Sequence, residues 1–297
     1  MRSDYMEQFF QQFINGLSLG SIYALIALGY TMVYGIINLI NFAHGDIYML
    51  GAYIGFFFTT HFHIGLFPSL IVSMLVCSII GIFIERVGYR PIRKSTRIAA
   101  LITAISISLF IEYGMMYFVG PETRTFPSLF PQKSIKIFSA VMDIKDIYIV
   151  AITIFLMIVF QYVIKRTRSG KAMRAVAMDS EAAQLMGIDV NKTIASTFAL
   201  GSALAGAAGV LVGAYYNSIN PLMGVIPGLK AFIAAVIGGI GVIPGAVFGG
   251  FFLGMTETMV SAYGGSLYKD AVAFAILILM LLVKPKGLFK RNIKEKV

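Results

Sequence analysis

The chain has 297 residues, a formal net charge of +10, 58% hydrophobic residues and only 13% charged ones. A mean hydropathy of +0.83 leaves too little polar surface to cover a water-soluble core. A groove for nucleic acid is excluded too, because 16 of the 24 Lys and Arg fall in three short segments flanking apolar blocks: Arg86 to Arg97, Lys165 to Arg174 and Lys284 to Lys296.

A helix needs about 20 residues to cross about 30 Å of hydrocarbon. Apolar blocks of that order lie at 9–37, 38–58, 65–87, 98–119, 146–164, 192–218, 222–240, 243–262 and 268–283. The fold class read from them is an all-α polytopic membrane protein, one transmembrane domain over 1–297, with eight to nine transmembrane helices, some broken or re-entrant. The first block follows Met1 to Gln8 and runs past the length of a signal-peptide core, so it is expected to be retained as a span. Cys77 is the single cysteine, which rules out an intramolecular disulfide or a thiolate cluster.

Placing the three basic segments in the cytoplasm makes the loops between them alternate. Thr59 to Ile64 carries no Lys or Arg, 120–145 becomes a long external loop, and the C-terminus is cytoplasmic. Nine crossings put the N-terminus outside; if 38–58 dips in and returns, there are eight and it lies inside.

Ionisable and polar residues inside apolar blocks come next, since a charge at the bilayer centre costs about 2.5–3.5 kcal/mol and faces a bundle interior or a wet cavity. "NLINFAHGDIYMLGAYIG" places Asn38, Asn41, His44 and Asp46 in one segment too polar for lipid, with Gly51 close behind. It reads either as a broken helix lining a pathway or as a buried hydrogen-bond knot. Glu112, Lys230 and Glu257 are the other buried ionisable candidates, the last two placed to neutralise each other across the bundle. "GVIPGLK" and "GGIGVIPGAVFGG" put Pro and Gly into spans, which points to broken helices lining a cavity. Gly16, Gly20 and Ala24, and Gly201, Ala205, Gly209 and Gly213, form small-residue faces for close helix packing. "LGSxxxL" at Leu19 and, roughly, at Leu200, with "GAxxG" at Gly51 and Gly245, suggests an internal repeat of two halves.

Enzyme signatures are missing. "RSGKAM" lacks the first glycine and the hydroxyl of a P-loop, and neither H-E-x-x-H nor G-x-S-x-G occurs, so no catalytic or metal residues are assigned and no cofactor is expected in this chain. The one long hydrophilic stretch is "SGKAMRAVAMDSEAAQLMGID", inside a cytoplasmic loop spanning 165–191. There Ser180 is expected to cap a short helix with Glu181 in its first turn, and Gly187 to close it in a left-handed cap. Ala182, Ala183 and Leu185 would face a partner, and Lys171 and Arg174 share a face upstream.

"EAAQLMG" resembles the EAA-x-x-x-G loop of bacterial ABC-importer permeases, although the Ile-x-Leu-Pro that follows it there is absent. "GLSLGSIYALIALGYTMVYGIINLINFAHGDIYMLGAY", the hydrophilic stretch and "GLKAFIAAVIGGIGVIPGAVFGG" resemble the H-type permease subunit of the high-affinity branched-chain amino acid importer over essentially the whole chain. That resemblance implies a bacterial inner-membrane protein paired with a second homologous permease, two cytoplasmic ATPases that bind the ATP, and an external binding protein delivering leucine, isoleucine or valine. It implies that Arg174, Ser180, Glu181, Ala182, Ala183 and Gly187 belong to the ATPase-coupling segment. Alternatives are a related permease for urea or short amides, a stand-alone secondary transporter or channel, and an intramembrane enzyme.

Overall fold

Without water to satisfy backbone groups, a chain in lipid closes its hydrogen bonds within helices, and this chain does so almost throughout. The structure, a computed structural model, describes residues 2–37, 39, 41–93, 95–131, 133–137 and 140–289. In chain order, α1 (Arg2–Ile37) is followed by α2 (His44–Phe62) and α3 (Leu66–Ile84), the latter prolonged by a π-helical turn at Glu85–Tyr89 and a single turn, α4 (Arg90–Ile92). Next come α5 (Arg97–Val119), the strands β1 (Arg124–Thr125), β2 (Ser134–Ile137) and β3 (Ala140–Asp143), and α6 (Ile144–Arg166). Two short helices, α7 (Arg168–Met178) and α8 (Ser180–Leu185), precede α9 (Val190–Tyr216), β4 (Ser218–Ile219) and α10 (Val225–Gly238). The chain continues through α11 (Ile243–Met259), a second π turn at Val260–Gly264, a 3-10 turn at Ser266–Tyr268 and α12 (Lys269–Val283).

Seven helices among the described residues are long and apolar enough to cross a membrane. The other two expected blocks are α2 and α10. The block expected at 38–58 is not helical from its start: α2 begins at His44 and runs on to Phe62. Its first turn lies halfway along its neighbours, because the His44 ring reaches the carbonyl of Ile26 in the middle of α1. α10 has 14 residues and begins at the same depth, with Gly224 against Gly45. Two discontinuous helices thus meet by their N-terminal ends inside the bundle. The prolines mark helix starts rather than kinks, Pro227 in the first turn of α10 and Pro244 in that of α11, where the missing N–H would be unpaired anyway. Gly239 and Gly241, with φ of 97° and 88°, make the turn between those helices.

At one end of the bundle, the hairpin end, β2 pairs antiparallel with β3 and β1 with β4. The start of α1 lies there too, Gln11 Oε1 accepting from the Val141 N–H at 3.0 Å. The opposite, basic end holds Arg86, Arg90 and Arg93, the Lys165–Arg166 end of α6, and α7 and α8.

The interior seams are built from small residues. Gly16 and Gly20 of α1 lie against Met255 and Phe251 of α11, and Gly250 and Gly254 lie in turn against Ala24 and Gly20. Gly51 and Gly209 close α2 onto α9 in the same way, and Gly206 rests on Cys77 of α3. Backbones this close gain dispersion that lipid cannot match. The outer faces of α3, α5, α6 and α12 carry exposed Ile79, Phe83, Phe110, Phe155 and Leu282, the composition of a lipid-facing surface.

Candidate functional site

The polar residues fall into three places: mid-depth, a charged cavity nearer the hairpin end, and a knob at the basic end. At mid-depth the irregular chain before α2 buries Asn41, whose Oδ1 accepts from the Tyr89 hydroxyl at 2.9 Å. Its Nδ2 has no hydrogen-bond partner among the described residues. His44 Nε2 stands 3.2 Å from the Ile26 carbonyl and therefore carries the ring proton, while the Tyr30 ring packs edge-on at 4.7 Å. Asp46, in the first turn of α2, accepts from Ser108 of α5 at 2.5 Å, and Glu112 Oε1 lies 3.5 Å from the same hydroxyl. One hydroxyl proton serves only one acceptor, and the shorter contact takes it. Between these groups and the start of α10 lies a cavity of about 100 Å³, bounded by Asp46, Ser108, Glu112, Gly224 and Gly228.

Asn41, His44 and Asp46 are all buried at this depth but each bonds a different partner, only Asp46 of the three borders the cavity, and Asn38 lies outside the described residues. Gly51 does not join them. A side chain there would meet the Gly206 backbone, so it belongs to the α2–α9 seam and lines neither this cavity nor the charged one. Lys230 and Glu257 form a separate group.

That second group is a network of four charges. Lys230 Nζ lies 2.6 Å from Glu257 Oε1 and 2.6 Å from Asp270 Oδ1, and Lys269 Nζ lies 3.7 Å from the same Glu257 oxygen. Tyr23 donates to Glu257 Oε2 at 2.8 Å. The network ties α1, α10, α11 and α12 and borders a cavity of about 290 Å³ that reaches Ser218 and Asn220 beside β4. Sequence reasoning singled out Lys230 and Glu257 but not Asp270 or Tyr23. An acid at the first turn of the last apolar block was the available signal for Asp270; nothing marks Tyr23 among 15 tyrosines.

At the basic end α7 and α8 form a helical pair rather than one short helix. The cap of α8 is Asp179, not Ser180: its carboxylate accepts from the N–H groups of Glu181 and Ala182 at 3.0 and 2.9 Å, and Ser180 becomes the first helical residue. An ionised acceptor one residue earlier serves the orphan amides better than a hydroxyl. The other end closes as predicted. Gly187 has φ of 82°, its N–H bonds the Gln184 carbonyl and that of Ile188 bonds the Ala183 carbonyl, the paired bonds of a Schellman cap. Ala183 is buried against the bundle, so it is not offered to a partner, whereas Ala182 and Glu181 are exposed. Leu185 and Met186 are 89% and 82% exposed. Arg174 turns its guanidinium back to the Ile164 carbonyl, capping α6. Asp189 caps α9 by accepting from the Lys192 N–H at 3.0 Å, and that bond holds its carboxyl below the usual carboxylate range.

By architecture, then, the chain is a polytopic helical membrane protein with discontinuous helices meeting at its centre. The family described as "Branched-chain amino acid transport system / permease component" matches residues 12–281. The high-affinity branched-chain amino acid transport system permease protein LivH of Salmonella typhimurium is 45% identical, over 99% of this chain and 100% of that protein. The corresponding BraD of Pseudomonas aeruginosa is 43% identical over 97% and 98%. In fold alone, the chain resembles the solved structure of PsaBC from Streptococcus pneumoniae in complex with Fab, with a TM-score of 0.50 at 13% identity, covering 97% of this chain and 98% of that one. The chain belongs to the family of branched-chain amino acid transport permeases, of the H type, and is thus a multi-pass transmembrane permease component of an ABC transporter.

Proposed function

We propose that the chain is the membrane-spanning subunit of an ATP-driven importer of leucine, isoleucine and valine, opened alternately to the two sides by separate ATPases. The substrate reading comes from the relatives, whose printed specificity is branched-chain amino acids. The observation that carries the coupling is α8: a two-turn helix capped at both ends, projecting Leu185 and Met186 from the basic end of a chain that has no P-loop. A rigid apolar knob suits a groove on a partner that generates the work. The basic end is the cytoplasmic one by the distribution of Lys and Arg, which places the start of α1 and β1–β4 outside and α12 ending inside. A second homologous permease, two ATPases and an external binding protein complete the assembly.

The two-half repeat fits the same reading, as an inverted one. α1 to α3 and α9 to α11 share an order: a long helix, an irregular entry, a discontinuous helix from mid-depth, and a long helix ending in a π turn. The two sets run in opposite directions, and α1 packs on α11 as α9 packs on α3. Mid-depth entry by two half-helices supports a pathway beside Asn41, His44 and Asp46.

The test is uptake into proteoliposomes holding the four membrane and ATPase subunits, with binding protein on the side of the β-hairpin. ATP-dependent accumulation of leucine, isoleucine and valine is expected. Uptake driven by an ion gradient with this chain alone would replace the reading with a secondary transporter, and transport of urea or acetamide instead would change the substrate.

A further inference from the structure

We propose that the cavity beside Lys230, Glu257 and Asp270 is a binding site for a zwitterionic α-amino acid with an aliphatic side chain, entered by exchanging one ion pair. This rests on the importer reading above and gives it a substrate site. Lys230, with its side chain 3% exposed, is held between two carboxylates, one more than a single cation needs. The two are not equivalent. Glu257 is 6% exposed, accepts also from Tyr23 and has Lys269 nearby, whereas Asp270 is 45% exposed at the mouth of the cavity. Asp270 is the partner that can be displaced.

An α-amino acid brings one carboxylate and one ammonium. Its carboxylate can replace Asp270 on Lys230 while its ammonium takes the freed Asp270, so the number of ion pairs is not reduced and the net charge of the site does not change. A carboxylic acid of the same size leaves Asp270 unpaired and an amine adds a cation with no anion to match it, so each changes the net charge of the site by one where the zwitterion does not. The opposite walls are apolar: Leu19 and Ile22 of α1, Val212 of α9, and Met223, Ile226 and Pro227 at the entry to α10. They suit a branched aliphatic side chain.

Size separates this cavity from the mid-depth one. Ligand pockets start at about 300 Å³. The charged cavity, at about 290 Å³, reaches that scale, and the space beside Asp46, at about 100 Å³, does not. A knot serving only to tie four helices would have no need of an adjoining apolar cavity.

The site is tested with a diazirine analogue of leucine, photolysed in the assembled, transport-competent importer and mapped by mass spectrometry. Adducts are expected on Leu19–Tyr23 and Asn220–Pro227, suppressed by excess L-leucine but not by 4-methylpentanoate or 3-methylbutylamine. Asp270→Asn should lower labelling by up to about fivefold, the scale of an ion pair whose acid is 45% exposed and partly screened by water. Removing both buried charges together, Lys230→Met with Glu257→Gln, keeps the interior neutral and should abolish labelling in protein that still assembles. Adducts elsewhere, or labelling unchanged in both variants while uptake persists, overturns the site alone. Failure of the unaltered assembly to take up any of the three amino acids overturns the importer reading, and the site with it.

Discussion

Lys230 is buried and Asp189 lies at the surface, and the same residue-scale physics makes opposite predictions for them. Removing Lys230 strands two carboxylates, one of them buried, and breaking a buried pair by deleting one partner costs about 3–5 kcal/mol. Lys230→Met should therefore lower the thermal midpoint of the solubilised protein sharply, and adding Glu257→Gln should restore most of it. Asp189 lies at the surface with its side chain 48% exposed, and its carboxyl is held low by the Lys192 amide. A depressed value means its contribution is complete above the ordinary carboxylate range near 4 and fades as pH falls through the lower folded value. The first turn of α9 should accordingly lose amide protection in acid, and Asp189→Ala should flatten that dependence once intrinsic exchange rates are removed. At this scale the sequence exposed the rare charges in apolar blocks but not their company. A lone Lys in "GLKAF" announces that a counter-charge exists; that two acids from α11 and α12 share it is set by packing.

Among the elements, α8 shows what local rules reach and where they stop. Its C-terminal cap was legible because only a residue that tolerates positive φ fits at Gly187, and the N-terminal cap slipped by one residue because Asp179 and Ser180 both qualify. Gly187 has open space around the position of a Cβ, so conformation alone limits it. Gly187→Asn should be tolerated, while Gly187→Val should cost about 1–2 kcal/mol locally and lower coupled uptake more than ATP hydrolysis. Glu181→Lys, a cation at the positive end of the helix, should act in the same direction. The burial of Ala183 was not legible, since a two-turn helix has no periodicity long enough to show which side faces the bundle. The prolines marked broken helices, and Pro227 and Pro244 stand in the first turns of α10 and α11.

Across the whole molecule, hydropathy carried the helical class and charge carried the order of loops, while the blocks at 38–58 and 222–240 showed as apolar without showing that α2 and α10 begin at mid-depth, which packing sets. The orientation is open to direct measurement, because the single cysteine, Cys77, is buried and gives no background. Gln11→Cys should react with a membrane-impermeant maleimide in intact cells, and Leu185→Cys only after the membrane is opened; the reverse pattern would invert the sidedness argued from Lys and Arg. The glycine seams can be probed in the same preparations. Gly51→Val places a Cβ 2.5 Å from the Gly206 Cα, and overpacking of this kind costs about 1–3 kcal/mol or more, so little inserted protein should accumulate.

Those seams have a mechanical corollary. Interdigitated side chains act as teeth, and sliding one helix past another means lifting every tooth from its socket. Gly20 against Phe251 backbone, or Gly51 against Gly206, has no teeth to lift, and the few pins across the α2–α3–α9 joint are bonds such as those from Ser73 to the Gly51 and Gly206 carbonyls. Such a joint is stiff against separation and compliant to shear. A wall with those two properties can tilt its ends apart in turn while its middle stays sealed against lipid.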